Sequence, residues 1–482
     1  MRLKNSCRAA AVVAGLAGLL GCSDGDRNSL VIGDPGEAPS LPPPTSGGPS
    51  ICPDFASSRP KDAKGNNVCQ LPQTISEDIT LTADTVWYLA DRVTVGNGNN
   101  ELADRAASTD PWVLANGLEL QKVTLTIEPG TQIKARNGTF ANLIITRGSR
   151  IIAEGTADAP IVFSSEDEGF DGSGEWGGLI LHGLAQHNTC GTDPLIACNV
   201  DAEGESGFAG GYDNSDSSGV LRYVVVAESG YEFAPGNEIN GISFVSVGAG
   251  TEVDYVQVHG GSDDGIEMYG GTVNMKHLVL TNNQDDTIDW DEGYQGNIQY
   301  VIVNQGATPV DGNAVEADTD GDSGSPMLSK PTIANFTFIL NSADQTGLNL
   351  KARTGGFFHN GIITLGPGSP VTSCVRVASG TTQANRNVSL FFDNVIVNCG
   401  DFGDTVLDQT TVSAVDPQLR DDYTTAVPEA VLGGPYDWAA FKSAHTESVA
   451  DEAFLDATGF LGAVNPDGSD LWYEGWIVEG SL

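Results

Sequence analysis

The chain has 482 residues, 40% of them hydrophobic, and a formal charge of −41. Its 23 Lys and Arg are outnumbered by 64 Asp and Glu, which excludes nucleic-acid binding, because contact with phosphates needs clustered basic charge. Sixty glycines in a chain with so few basic residues favour turn-rich β structure over helical bundles.

Residues 1–21 read as a targeting segment. Arg2, Lys4 and Arg8 precede the apolar run Ala9–Leu20, which is too short to span a bilayer. Leu19-Leu20-Gly21-Cys22 resembles the lipobox of bacterial lipoproteins. The resemblance implies cleavage before Cys22, lipid on its thiol and, because Ser23 follows, an outer-membrane address. The competing reading is an ordinary cleaved signal that leaves Cys22 as a spare thiol. Residues 22–50 carry six prolines among Gly and Ser and read as a tether that cannot build a core.

Six cysteines remain: Cys52, Cys69, Cys190, Cys198, Cys374 and Cys399. An even count in an oxidising compartment predicts disulfides. Pairing sequence neighbours gives Cys52–Cys69, Cys190–Cys198 and Cys374–Cys399. Zinc is the rival, but no CxxC occurs and the gaps are irregular. Residues 51–73 then form a small clipped lead-in.

From residue 74 short β runs follow one another, broken by Gly and polar turns: Ile79–Thr82, Val86–Leu89 and Val93–Val95. Residues 97–112 read as an inserted loop, and residues 189–218 as an excursion from the coil that shapes a binding face. The succession Leu125-Thr126-Ile127-Glu128-Pro129-Gly130-Thr131, Ile152-Ala153-Glu154-Gly155-Thr156 and Trp176-Gly177-Gly178-Leu179-Ile180-Leu181 resembles the secreted right-handed parallel β-helix proteins of Gram-negative bacteria. The likeness covers roughly residues 75–480 and implies fold and export, with no settled reaction. The predicted architecture is all-β: a single right-handed parallel β-helix over 74–400, closed by a C-terminal cap over 401–482 that includes one helix near 437–445 and the aromatics Trp438, Trp472, Tyr473 and Trp476.

The centre of the chain repeats itself. Asp263-Asp264-Gly265-Ile266-Glu267-Met268 is echoed 22 positions later by Asp285-Asp286-Thr287-Ile288-Asp289-Trp290, and more loosely by Gly312–Ala317. A strand alternates faces, so with Ile266, Ile288 and Val315 inside, Glu267, Asp289 and Glu316 point outward. Stacked turns place them in a row about 4.8 Å apart, with Asp264 and Asp286 in the adjoining turns. The same register continues the row with Asn349 and Arg376. Like charges at that spacing oppose one another unless protons or a cation intervene. The row therefore implies a bound cation, a hydroxyl-rich ligand or a solvated acidic face.

Asp318-Thr319-Asp320-Gly321-Asp322 places three carboxylates at alternate positions, which suits a calcium loop or a solvated one. It is not an EF-hand, since the glycine falls between the second and third acids. Gly321–Pro326 has the letters of a serine-protease nucleophile motif but no upstream histidine segment to complete a triad.

The functional expectation is an outer-membrane lipoprotein that binds carbohydrate or another polar ligand, with Ca2+, through Asp264, Glu267, Asp286, Asp289 and Glu316. Its partners are the membrane, through the lipid, and a polysaccharide or similar polar ligand. One alternative is a calcium-assisted polysaccharide lyase or glycoside hydrolase, with Lys351, Arg353 or Arg376 as the basic group. Another is a structural envelope component with no small ligand.

Overall fold

The computed structural model describes residues 51–482, apart from 109, 235–236, 307–311, 320–324, 342–345, 372, 379, 386–387, 400–431 and 433. Parallel strands stack turn upon turn into a right-handed β-helix. Among the described residues they form a 15-stranded and a 10-stranded sheet. The repeat seen in the sequence is the turn of this coil: Ile266–Tyr269 pairs in register with Ile288–Asp291, and Glu252–His259 with Asn274–Thr281.

The larger sheet provides two sides of the coil because its strands bend. In the early turns these sides are separate strands; Arg150–Glu154 and Ile161–Ser165 both pair with Gly219–Ala227. From there on each long strand folds at one left-handed residue: Tyr223, Tyr255, His277, Tyr300, Asn335, Asn360 and Asn394, with φ between 47° and 63°. Asn tolerates that region, whereas Tyr does so at a steric cost. The rings offset part of the cost by stacking along the axis, Tyr223 on Tyr255 at 4.4 Å, Tyr255 on His277 at 4.2 Å and His277 on Tyr300 at 4.8 Å.

The core is a set of aliphatic columns. On the smaller sheet Ile242, Ile266, Ile288, Val315, Leu348 and Val375 are register neighbours, and all are buried. Phe244, Met268, Trp290, Ala317 and Leu350 form the next column inward. Close approach also dictates glycine: at Gly361 a Cβ would lie 1.9 Å from the Phe336 ring, which fills that layer.

Residues 51–73 close the first turn. Ser57–Arg59 pairs antiparallel with Val68–Gln70, which starts the parallel stack, and Phe55 stacks on the buried Trp87 at 5.7 Å. The disulfides are those expected from sequence neighbours: Cys52–Cys69, Cys190–Cys198 and Cys374–Cys399. The C-terminal residues lie along the flank formed by the long strands, and the predicted helix is Trp438–Ala444, capped by the Asp437 side chain. Gly462 N donates to Asn360 O at 2.8 Å, Asp456 N to Gln299 Oε1 at 2.8 Å and Val478 N to Gln257 Oε1 at 2.7 Å, so the segment runs back along the coil. Trp476 and Tyr473 are buried there with Val225, Val279 and Ile302. The cap aromatics therefore serve packing. Among the described residues no helix is long and apolar enough to cross a membrane.

Candidate functional site

The outward residues of the smaller sheet change character along the axis. Register pairs run Ile144–Ile180–Ser243–Glu267–Asp289–Glu316–Asn349–Arg376. The row is thus apolar, then acidic, then neutral, then basic. The expected ladder of Glu267, Asp289 and Glu316 is present, and Asn349 and Arg376 continue it. A second outward column passes through Val245, Tyr269 and Asp291. At the strand entrances Gly241 N donates to Asp264 O and Gly265 N to Asp286 O, which aligns Asp264 with Asp286. Gly265 has no room for a side chain, because a Cβ would sit 2.5 Å from Thr287 O in the next turn.

The excursion covers the apolar end of this face. Its hairpin, Val200–Ala202 with Gly207–Ala209, seats Ala202 and Ala209 on Ile144, Ile180 and Val245. Arg147 holds it from below, donating to the carbonyls of Cys198, Ala209 and Gly210. The hairpin brings Glu203 to the acidic row: Asn240 Nδ2 donates to Glu203 Oε2 at 2.8 Å and to Glu267 Oε2 at 2.7 Å. The opposite rim is the 186–189 segment, where His187 bonds Glu292 and Asn188 Nδ2 donates to Thr319 O at 3.3 Å.

The acids point away from the core, yet Asp264, Glu267 and Asp286 are buried, and Asp289 and Glu316 are half-buried. Asp264 is 7% exposed, Asp286 5% and Glu267 9%. Burial, reinforced by the neighbouring carboxylates, holds Asp264, Glu267, Asp289 and Asp291 well above the usual carboxylate range. The same causes push Asp286 and Glu203 up to about 8, and Asp263 to about 7. This argues against the freely solvated acidic face. Compensating charge appears at one end, where Lys351 pairs with Glu316 and lies 3.8 Å from Asp318.

Two groups within the row have carboxylate oxygens within 4.8 Å of one another, Asp264, Glu267 and Asp289, and Asp286, Asp289 and Glu316, and a further group, Asp263, Asp264 and Asp285, adjoins them. Oxygens each about 2.4 Å from one calcium ion are at most about 4.8 Å apart, so both groups fit that ion. Asp289 belongs to both, and its Oδ1 is buried without a hydrogen-bond partner. Thr287 Oγ1 and Asp291 Oδ1 in the same turn, and Asn349 Oδ1 two strands along, are in the same state. A hard divalent cation satisfies such oxygens directly.

Of the other predicted loop, Asp318 lies beside Lys351, while Asp320 and Asp322 fall outside the described residues. Arg353 turns away from the row to donate Nη2 to Ser325 O at 2.7 Å. Sequence reasoning missed Glu203, Asn240, Tyr269 and Asp291. Asp291 was legible, since it lies two residues beyond Asp289 on the same face. Glu203 was not, because its position depends on where a 30-residue excursion lands.

No curated protein and no solved structure matches this chain. The family model described as a pectate-lyase-like beta helix domain matches residues 113–443, which is well over half of the chain and spans both the excursion and the entire acidic row. The chain belongs to the pectate-lyase-like beta helix family.

Proposed function

We propose that the protein binds calcium on the acidic row and, through the ion, an oxygen-rich polar ligand, carbohydrate being the class that best suits the site. The observation that carries this reading is Asp289, shared by two carboxylate groups of calcium-compatible spacing and left with a buried, unpartnered oxygen. A cation there relieves the repulsion among the acids and turns a negative surface into one that attracts hydroxyl and carboxylate oxygens. The wall formed by the hairpin at one end and the Lys351 and Arg376 side chains at the other gives the face a direction. Anchoring through Cys22 at the bacterial outer membrane is part of the same reading, supported by the lipobox-like Leu19–Cys22.

Titration calorimetry of the full-length protein and of Asp286→Asn/Asp289→Asn tests it. Calcium heat should be lost in the variant, and wild type should then take up uronate or neutral oligosaccharides only with calcium present. Equal calcium heats in the two proteins would remove the row from consideration.

A second reading, a lyase, is favoured by the pectate-lyase-like family match; the ion pair with Glu316 holds Lys351 protonated, so its part there is to hold the substrate's carboxylate. A lyase uses a cation to acidify the proton next to a uronate and a base to remove it. Incubation with uronate polymers and calcium should then yield an unsaturated, ultraviolet-absorbing product, and Lys351→Met should abolish it.

A further inference from the structure

A second set of acids lies outside the row, at the bend between the larger and smaller sheets. We propose that Asp167, Glu175 and Glu228 form a separate calcium site that ties the 166–175 loop to the following turn of the coil. The proposal goes beyond the ligand-binding reading and does not rest on it.

The three residues come from two turns. Asp167 and Glu175 stand at either end of the loop between Ile161–Ser165 and Gly178–His182, while Glu228 directly follows Gly219–Ala227. Their carboxylate oxygens lie within 4.8 Å of one another. Glu228 occupies a left-handed bend (φ 65°), with its N–H donating to His259 O at 2.9 Å and its carbonyl accepting from Glu175 N at 2.9 Å. Backbone bonds in both directions therefore hold it in place. Its side chain is 1% exposed. Oε1 accepts from Gly172 N at 3.2 Å, and Oε2 is buried without a partner.

The neighbouring carboxylate repeats this state. Glu175 Oε2 is also buried without a hydrogen-bond partner. The fully buried Ser165 turns its hydroxyl to the Glu175 carboxylate and favours its ionised form. Ser165 is not an acid and comes from the core strand, so it adds a hydroxyl oxygen beside the Glu175 carboxylate. The nearby cation, Lys134, donates to the backbone carbonyl of Asp167 at 3.2 Å. His259 is already engaged, with Thr281 Oγ1 at 2.7 Å and Phe170 O at 3.3 Å. What remains is a set of hard oxygens, three charged and one hydroxyl, that suits calcium rather than zinc or copper.

The site has a structural consequence. Gly174 N donates to Ser229 O, which also accepts from Ser262 N, the residue before Asp263 and Asp264. An ion here fixes the loop against the turn from which the acidic row departs.

Terbium luminescence gives a direct test, because Trp176 adjoins Glu175 and its Nε1 donates to Ala227 O at 2.7 Å, beside Glu228. In full-length protein carrying Asp286→Asn/Asp289→Asn, tryptophan excitation should still sensitise bound Tb3+, and calcium should compete it away. Adding Asp167→Asn should weaken both ions by about tenfold or more, through loss of one charged ligand. Asp167 is exposed, so that change leaves folding intact, which circular dichroism verifies. Adding Glu228→Gln should abolish the signal. A Tb3+-soaked crystal should show an anomalous peak between Glu175 and Glu228. The proposal is overturned if the row-deficient protein binds no Tb3+, or if Asp167→Asn leaves its titration unchanged. Neither result depends on whether the row itself binds calcium.

Discussion

Glu267 and Asp289 are register partners on adjacent parallel strands, both pointing away from the core, Glu267 buried and Asp289 half-buried. Two carboxylates so placed cannot both ionise at low cost. Either protons remain on them at neutral pH or a cation is present, and the two states differ measurably.

The metal-free protein should lose stability as pH rises. Asp286 has a folded pKa of about 8 against an ordinary value of 3.8, so between about pH 4 and pH 8 the folded state binds more protons than the unfolded one. The stabilisation is full below the ordinary carboxylate value and is lost as pH climbs through the folded one. With a chelator present, Tm should fall steadily from pH 5 to pH 8, and calcium should flatten the slope. A calorimetric scan whose Tm is independent of pH in chelator would contradict this.

Ile288 fills the middle of the inward column between Ile266 and Val315. Ile288→Ala should destabilise by about 2–5 kcal/mol, the range for removing a large aliphatic side chain from a packed core. Glu154→Ala, at an exposed strand end, should change stability by less than about 0.5 kcal/mol. Denaturant unfolding compares the two.

Tyr255 bends its strand with φ 56° and is held between Tyr223 and His277, with Trp476 edge-on at 6.2 Å. Tyr255→Asn restores the residue found at the same bend in later turns and should cost about 1–2 kcal/mol from lost ring contacts. Tyr255→Val combines that loss with a β-branched residue in the left-handed region and should cost more. Urea midpoints that rank Val above Asn would refute the role assigned to the bend.

If Cys22 carries the lipid, Cys22→Ser should abolish palmitate labelling and move the protein from the membrane fraction to the soluble one. Unchanged labelling would place the lipid elsewhere or nowhere.

Much of this was visible in the primary structure because a parallel β-helix writes its geometry locally. Strand alternation decides which side each residue faces, and a fixed turn length decides which residues share a row. That is why Ile266 with Ile288, Glu267 with Asp289, and even Arg376 at the basic end could be assigned from spacing. The disulfides were legible because each joins sequence neighbours in adjacent pieces of chain.

What only the tertiary structure decided depends on segments that break the repeat. The 200–209 hairpin brings Glu203 over the row and helps turn an apparently solvated ladder into a partly buried one, a change of electrostatic environment that no periodicity records. Glu228 meets Asp167 and Glu175 only because a loop of one turn folds onto the bend of the next. Residues within the repeat are positioned by rules that act over one turn. Residues outside it are positioned by where an irregular chain finds complementary surface, and that information exists only once the coil is built.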